Sequence, residues 1–132
     1  MIILLWVIKS IGMTKIIIEG HNKLSAVSEA FSAEYPYLRL DFFSKPHDNL
    51  EGNTFDEKLD SDTTVEECGG TPTMLEIDKE MTVSELESEI KEKLNLNVQV
   101  FRKSGKVWLE TTTTDVWTLE HQNSRGEEAS KA

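Results

Sequence analysis

Cys68 is the only cysteine of the chain, and it is followed by Gly69-Gly70-Thr71-Pro72, so a thiol stands beside a flexible turn. Thiol chemistry runs through the thiolate, which needs a nearby cation or a helix N-terminus to lower its pKa. Glu66 and Glu67 precede it and work in the opposite direction. No base and orienting group stand at a spacing that would complete a nucleophilic site. The three histidines, His21, His47 and His121, lack the short pairwise spacing of a zinc site. His21 and His47 could still meet in space, because His21 follows the first expected strand.

Oxygen chemistry has two candidates. Asp56, Asp60 and Asp62, with Thr64 and Glu67 nearby, supply ligands of the kind calcium or magnesium takes. Their spacing is not that of an EF-hand: counted from Asp60, Val65 falls where that loop requires glycine. Gly20-His21-Asn22 links a strand to a helix, a place where amide donors can meet an anion or small ligand. Neither a GxGxxG sequence nor a P-loop lysine motif occurs, which argues against a nucleotide cofactor, and no other cofactor is expected. A third candidate is apolar. Phe101 and Trp108 are expected on the sheet face away from the helices, where an interface with a protein partner or a second copy would use them. Residues 113 to 120, through Val116, Trp117 and Leu119, could instead fold back over that face, which makes Trp117 the third residue of the expected interface.

The elements that would position these residues read clearly between Met81 and Glu110. Thr82 and Glu85 have capping-box spacing, with Met81 and Leu86 placed as a hydrophobic staple. Leu86, Ile90 and Leu94 form an apolar stripe, with Glu87-Lys91 and Glu89-Lys93 on the solvated side. Asn95 suits a left-handed C-cap, and strands on either side of Ser104-Gly105 suit a hairpin whose tip carries Arg102, Lys103 and Lys106. Earlier, TKIIIE reads as a buried strand. Leu24, Val27, Phe31 and Tyr35 share a helical face, with Asn22 as cap and Pro36 as stop. YLRLDFF alternates as a half-buried strand, and TPTMLEID adds another.

Between Asp48 and Glu67 stand eight acids against Lys58, which is −7 of the chain's net −10. A solvated loop is expected over residues 44–70. This order gives an α+β fold: a ferredoxin-like two-layer sandwich of β-α-β, acidic insertion, then β-α-β-β, with both helices on one face of a mainly antiparallel sheet. With 132 residues and 38% hydrophobic content, a single domain over residues 13–120 is expected, followed by a flexible tail at 121–132. Residues 1–12 are apolar without period, and Met13 would make a natural domain start, so the segment reads as an upstream extension of the reading frame that is not native, the alternative being an extra edge strand or a short anchoring segment. MIILLWVI is too short to span a bilayer and lacks a secretory signal's basic flank, so a cytoplasmic location without membrane contact is expected. The negative charge repels phosphate backbones and argues against a nucleic-acid partner. Composition and motifs favour a non-enzymatic interaction or self-associating module. The alternative is a regulatory domain for a small ligand or divalent metal, using the Gly20–Asn22 turn and the acidic loop.

Overall fold

The structure is a computed structural model and describes residues 5–44 and 57–131. The chain runs β1 (Trp6–Ser10), β2 (Met13–Ile18), α1 (Leu24–Glu34), β3 (Leu38–Phe43), β4 (Thr73–Asp78), α2 (Val83–Leu94), β5 (Asn97–Ser104), β6 (Val107–Glu110) and α3 (Leu119–Lys131). It is an α+β protein. The strands do not form the single ferredoxin-like sheet expected from their order; they divide into two three-stranded sheets, β1-β2-β4 and β3-β5-β6, with every pairing antiparallel. β2 and β3 therefore flank α1 without sharing a sheet.

The capped helix forms as its sequence predicts. Thr82 Oγ1 accepts from the Glu85 amide at 3.1 Å, and Glu85 Oε1 accepts from the Thr82 amide at 3.0 Å. Asn95 takes the left-handed C-cap at φ 59°. Leu86, Ile90 and Leu94 are fully buried, and Lys93 pairs with Glu89 at 3.0 Å. Glu87 reaches inward instead, accepting from the Val100 amide at 3.2 Å.

The two sheets are built from a unit repeated within the chain. β2-α1-β3 and β4-α2-β5 are one unit laid down twice, and the antiparallel pairs β2·β4 and β3·β5 relate the halves as a two-fold axis would. Ile16, Ile18, Leu24, Val27, Phe31 and Tyr35 of the first unit recur, at one constant spacing, as Leu75, Ile77, Val83, Leu86, Ile90 and Leu94 of the second, and all are buried. The match extends to backbone bonds. Leu24 and Ser25 at the start of α1 donate to Thr63 and Ser61, and Val65 and Glu66 donate back to Asn22 and Gly20. At the start of α2, Val83 and Ser84 donate to Trp117 and Asp115, while Leu119 and Glu120 donate back to Met81 and Lys79. Two bridges, Lys23–Thr64 and Thr82–Thr118, complete the correspondence.

This arrangement changes three expectations. Residues 121–131 are not a frayed tail: they continue α3, which docks on β5 because Gly126 lets it approach closely and Gln122 is fully buried. The part of the acidic stretch at 57–70 is fastened, since Leu59 N donates to Phe42 O, Phe43 bridges Lys58, and Val65 is fully buried in the core. Its neighbours 45–56 lie outside the described residues. The cap of α1 is Lys23, without a side-chain capping bond; Asn22 turns back, and its Oδ1 accepts from the Glu19 amide at 2.6 Å. Trp6–Ser10 form an edge strand on β2.

Candidate functional site

Strand alternation places Arg39 and Asp41 of β3 on the face that also carries Gln99 and Phe101 of β5, because Arg39 lies opposite Phe101 and Asp41 opposite Gln99. Trp108 of β6 pairs with Lys103 and joins the same face. Arg39 is the residue that sequence reading missed. Its guanidinium carbon lies 5.1 Å from the Phe101 ring centre and 4.8 Å from that of Trp108, so two aromatic rings hold the cation by their faces. Its Nη2 donates to Asp41 Oδ2 at 3.0 Å, and Lys58 Nζ approaches the same oxygen at 3.5 Å. The Arg39 Nε is buried and finds no acceptor among the described residues. Beside this cluster lies a cleft of about 260 Å³, to which Ser25, Ser28, Glu29, Lys58 and Ser61 also contribute.

The expected aromatic trio is thereby divided. Phe101 and Trp108 are half-buried under Arg39, whereas Trp117 lies against Arg102, 5.4 Å from the guanidinium carbon, and neighbouring residues of a strand point to opposite faces. The chain at 113–120 therefore covers the helix-side face and not the Trp108 face; Leu119 is fully buried there, and Val116 is exposed. Arg102 donates to Gln122 Oε1 at 2.8 Å, and its pKa is lowered by burial and by Arg125. The hairpin tip is thus not a free basic cluster at Arg102.

The Gly20–Asn22 turn is filled by the chain's own backbone. Glu66 and Val65 donate to Gly20 and Asn22, and a Cβ at Gly20 would lie 2.8 Å from the Glu66 carboxylate. His21 is exposed, 3.4 Å from Glu19, and His121 packs edge-on against Trp117 at 4.6 Å. The first amides of α1 are already bonded to Ser61 and Thr63, which leaves no opening for an anion there. Of the expected metal ligands, Asp56 lies outside the described residues, as does His47. Asp60 accepts from the Asp62 amide at 2.9 Å, and Asp62 lies 3.8 Å from Lys23. Among the described residues no three acidic, histidine or cysteine side chains come together in a way that could hold a metal ion.

Cys68 is half-buried, and its Sγ donates to the Thr64 and Val65 carbonyls, each at 3.3 Å. Burial raises its pKa above the ordinary thiol value, and Glu67 adds to the rise. Glu67 itself forms a second capping box with Thr64, at 2.9 and 3.2 Å, which sequence reading passed over.

A second surface is apolar. Cross-strand neighbours Trp6, Ile17 and Met74 form a row on the outer face of sheet β1-β2-β4, and Ile8 stands in the next row, beside Lys15 and Glu76. Trp6 is 73% exposed, Ile8 54% and Met74 43%. Among the described residues no strand pairs with the outer edge of β1. No described helix is long and apolar enough to cross a membrane. Neither a family model, nor a curated protein, nor a solved structure matches this chain.

Proposed function

We propose that the chain is a non-enzymatic interaction module that associates with a second copy of itself through sheet β1-β2-β4. The row of Trp6 and Met74, both exposed, on either side of half-buried Ile17 and extended by exposed Ile8, carries this reading, because an apolar sheet face is a surface that association removes from water. The free backbone of β1 adds directional hydrogen bonding. Antiparallel pairing of β1 with its copy would make one six-stranded sheet and join the two apolar faces, a closed symmetric dimer of the commonest kind. Arg39 already occupies Phe101 and Trp108, which moves the preferred interface from those residues to the first sheet.

Light scattering of the full chain across a concentration series tests the proposal. A dimer that Trp6→Ser with Ile8→Asp converts to a folded monomer is the expected result; a wild-type monomer at millimolar concentration would sink it. The metal-binding alternative draws no support from the described geometry of the Gly20–Asn22 turn, and a calcium-induced rise in melting temperature would be needed to revive it.

A further inference from the structure

The Arg39 cluster has features that a purely structural cation would not require. Arg39 and Lys58 both converge on one carboxylate, Asp41, so this trio carries one positive charge in excess within a chain of net −10. The guanidinium plane is fixed by Phe101 on one β-strand and Trp108 on the next, so its ordering cost is met before any ligand arrives. Among the described residues its only side-chain hydrogen bond is to Asp41, which leaves most of its five donors unused, and the buried Nε meets no acceptor there. The adjoining cleft of about 260 Å³ is open, and Ser25, Ser28 and Ser61 are among the residues that line it. Ser28 donates to the Leu40 carbonyl at 2.8 Å, which anchors that wall of the cleft to β3.

We propose that this cleft binds a small carboxylate-bearing molecule, with the carboxylate on Arg39 and Lys58 and the remainder against the α1 serines. A fixed guanidinium matches the planar two-oxygen geometry of a carboxylate. The volume falls below the roughly 300 Å³ at which drug-sized pockets begin, which restricts the ligand to a small acid. Glu29 lines the same cleft and disfavours a second negative charge, so a monocarboxylate is preferred to phosphate or a dicarboxylate.

The test is a nitrogen–proton NMR titration of the full chain with benzoate, acetate and, separately, inorganic phosphate, followed at the Arg39 Nε–H and the Trp108 indole. Saturable shifts at both groups with benzoate are expected. Arg39→Lys keeps the charge but not the planar fork, and should weaken binding roughly tenfold, the scale of one lost charge-assisted hydrogen bond. Glu29→Gln should tighten it. Should Arg39→Lys disturb amide resonances beyond the cleft, Lys58→Met serves in its place and should also weaken binding. No saturable shift at tens of millimolar, or equal affinity in the Arg39 and Lys58 variants, overturns the proposal. Phosphate binding more tightly than benzoate overturns the ligand class. None of these outcomes depends on whether the chain self-associates through β1.

Discussion

Gly126 of α3 lies directly against Tyr37: a Cβ at this glycine would sit 2.8 Å from the Tyr37 Cβ, 3.1 Å from the Arg102 Cγ and 3.2 Å from the Lys103 carbonyl. Helix propensity and packing therefore make opposite demands here. Alanine inside a helix gains roughly 0.5–1 kcal/mol over glycine, whereas overpacking costs about 1–3 kcal/mol. Backbone stands on one side of the contact, so packing should win. Gly126→Ala is expected to lower the melting temperature, and a rise would show that α3 docks less tightly than described.

Gln99 is fully buried, and its Oε1 has no hydrogen-bond partner among the described residues, while its Nε2 donates to the Val100 carbonyl. That carbonyl also accepts from Thr111 at 2.8 Å and so stays satisfied if Gln99 is replaced. An unmet buried acceptor costs about 1–3 kcal/mol. Gln99→Met keeps the volume and should leave stability unchanged or raise it by about 1 kcal/mol in urea unfolding. A clear loss would mean that Gln99 makes a contact beyond its bond to Val100.

The carboxyl of Glu67 is held below its ordinary range, first by the Thr64 amide and then by the Thr64 hydroxyl. A carboxyl with a depressed folded pKa contributes its stability above the unfolded value and loses it as pH falls through the folded one. Thr64→Ala removes the hydroxyl and leaves the amide, so the Glu67 pKa should move part of the way back up. Carbon-detected titration of that carboxyl reads the shift, and an unchanged midpoint would exclude the hydroxyl's part.

Tyr35 behaves in the opposite sense at high pH. Burial, followed by the charge of Glu34, pushes its phenol up to about 12 from 10. Its folded pKa is raised, so its contribution is complete below about 10 and disappears between 10 and 12. Phenolate absorbance should show this group ionising together with alkaline unfolding. Ionisation near 10 in the folded protein would contradict its burial.

Cys68 is expected to react with iodoacetamide more slowly than a free thiol at neutral pH, because burial raises its pKa and two carbonyls accept from it. A faster reaction would point to an activating cation, which does not figure among the described residues that shift this thiol.

The strand and helix pattern was legible where periodicity and caps coincide, as at Thr82, Glu85 and Asn95. Sheet pairing was not, since the order β-α-β leaves open which strands meet; the constant spacing from Ile16 to Leu75 and from Phe31 to Ile90 was the available signal of a repeated unit. α3 was misread because, past Leu119, its buried side is made of Gln122 and Gly126 in place of an apolar stripe. Arg39 stood in an alternating strand as an ordinary outward residue, and only the register that sets it opposite Phe101 reveals the stacked pair.

The exchange of backbone bonds at the two helix starts fixes an order of events during synthesis. α1 cannot form its backbone bonds to Ser61 and Thr63 until those residues have left the ribosome, and α2 must wait for Asp115 and Trp117. Each half is completed by a segment made after its own second strand. A nascent chain stopped short of Asp115 would carry one finished half and one open helix, so the second half closes only when the last stretch of the chain is made.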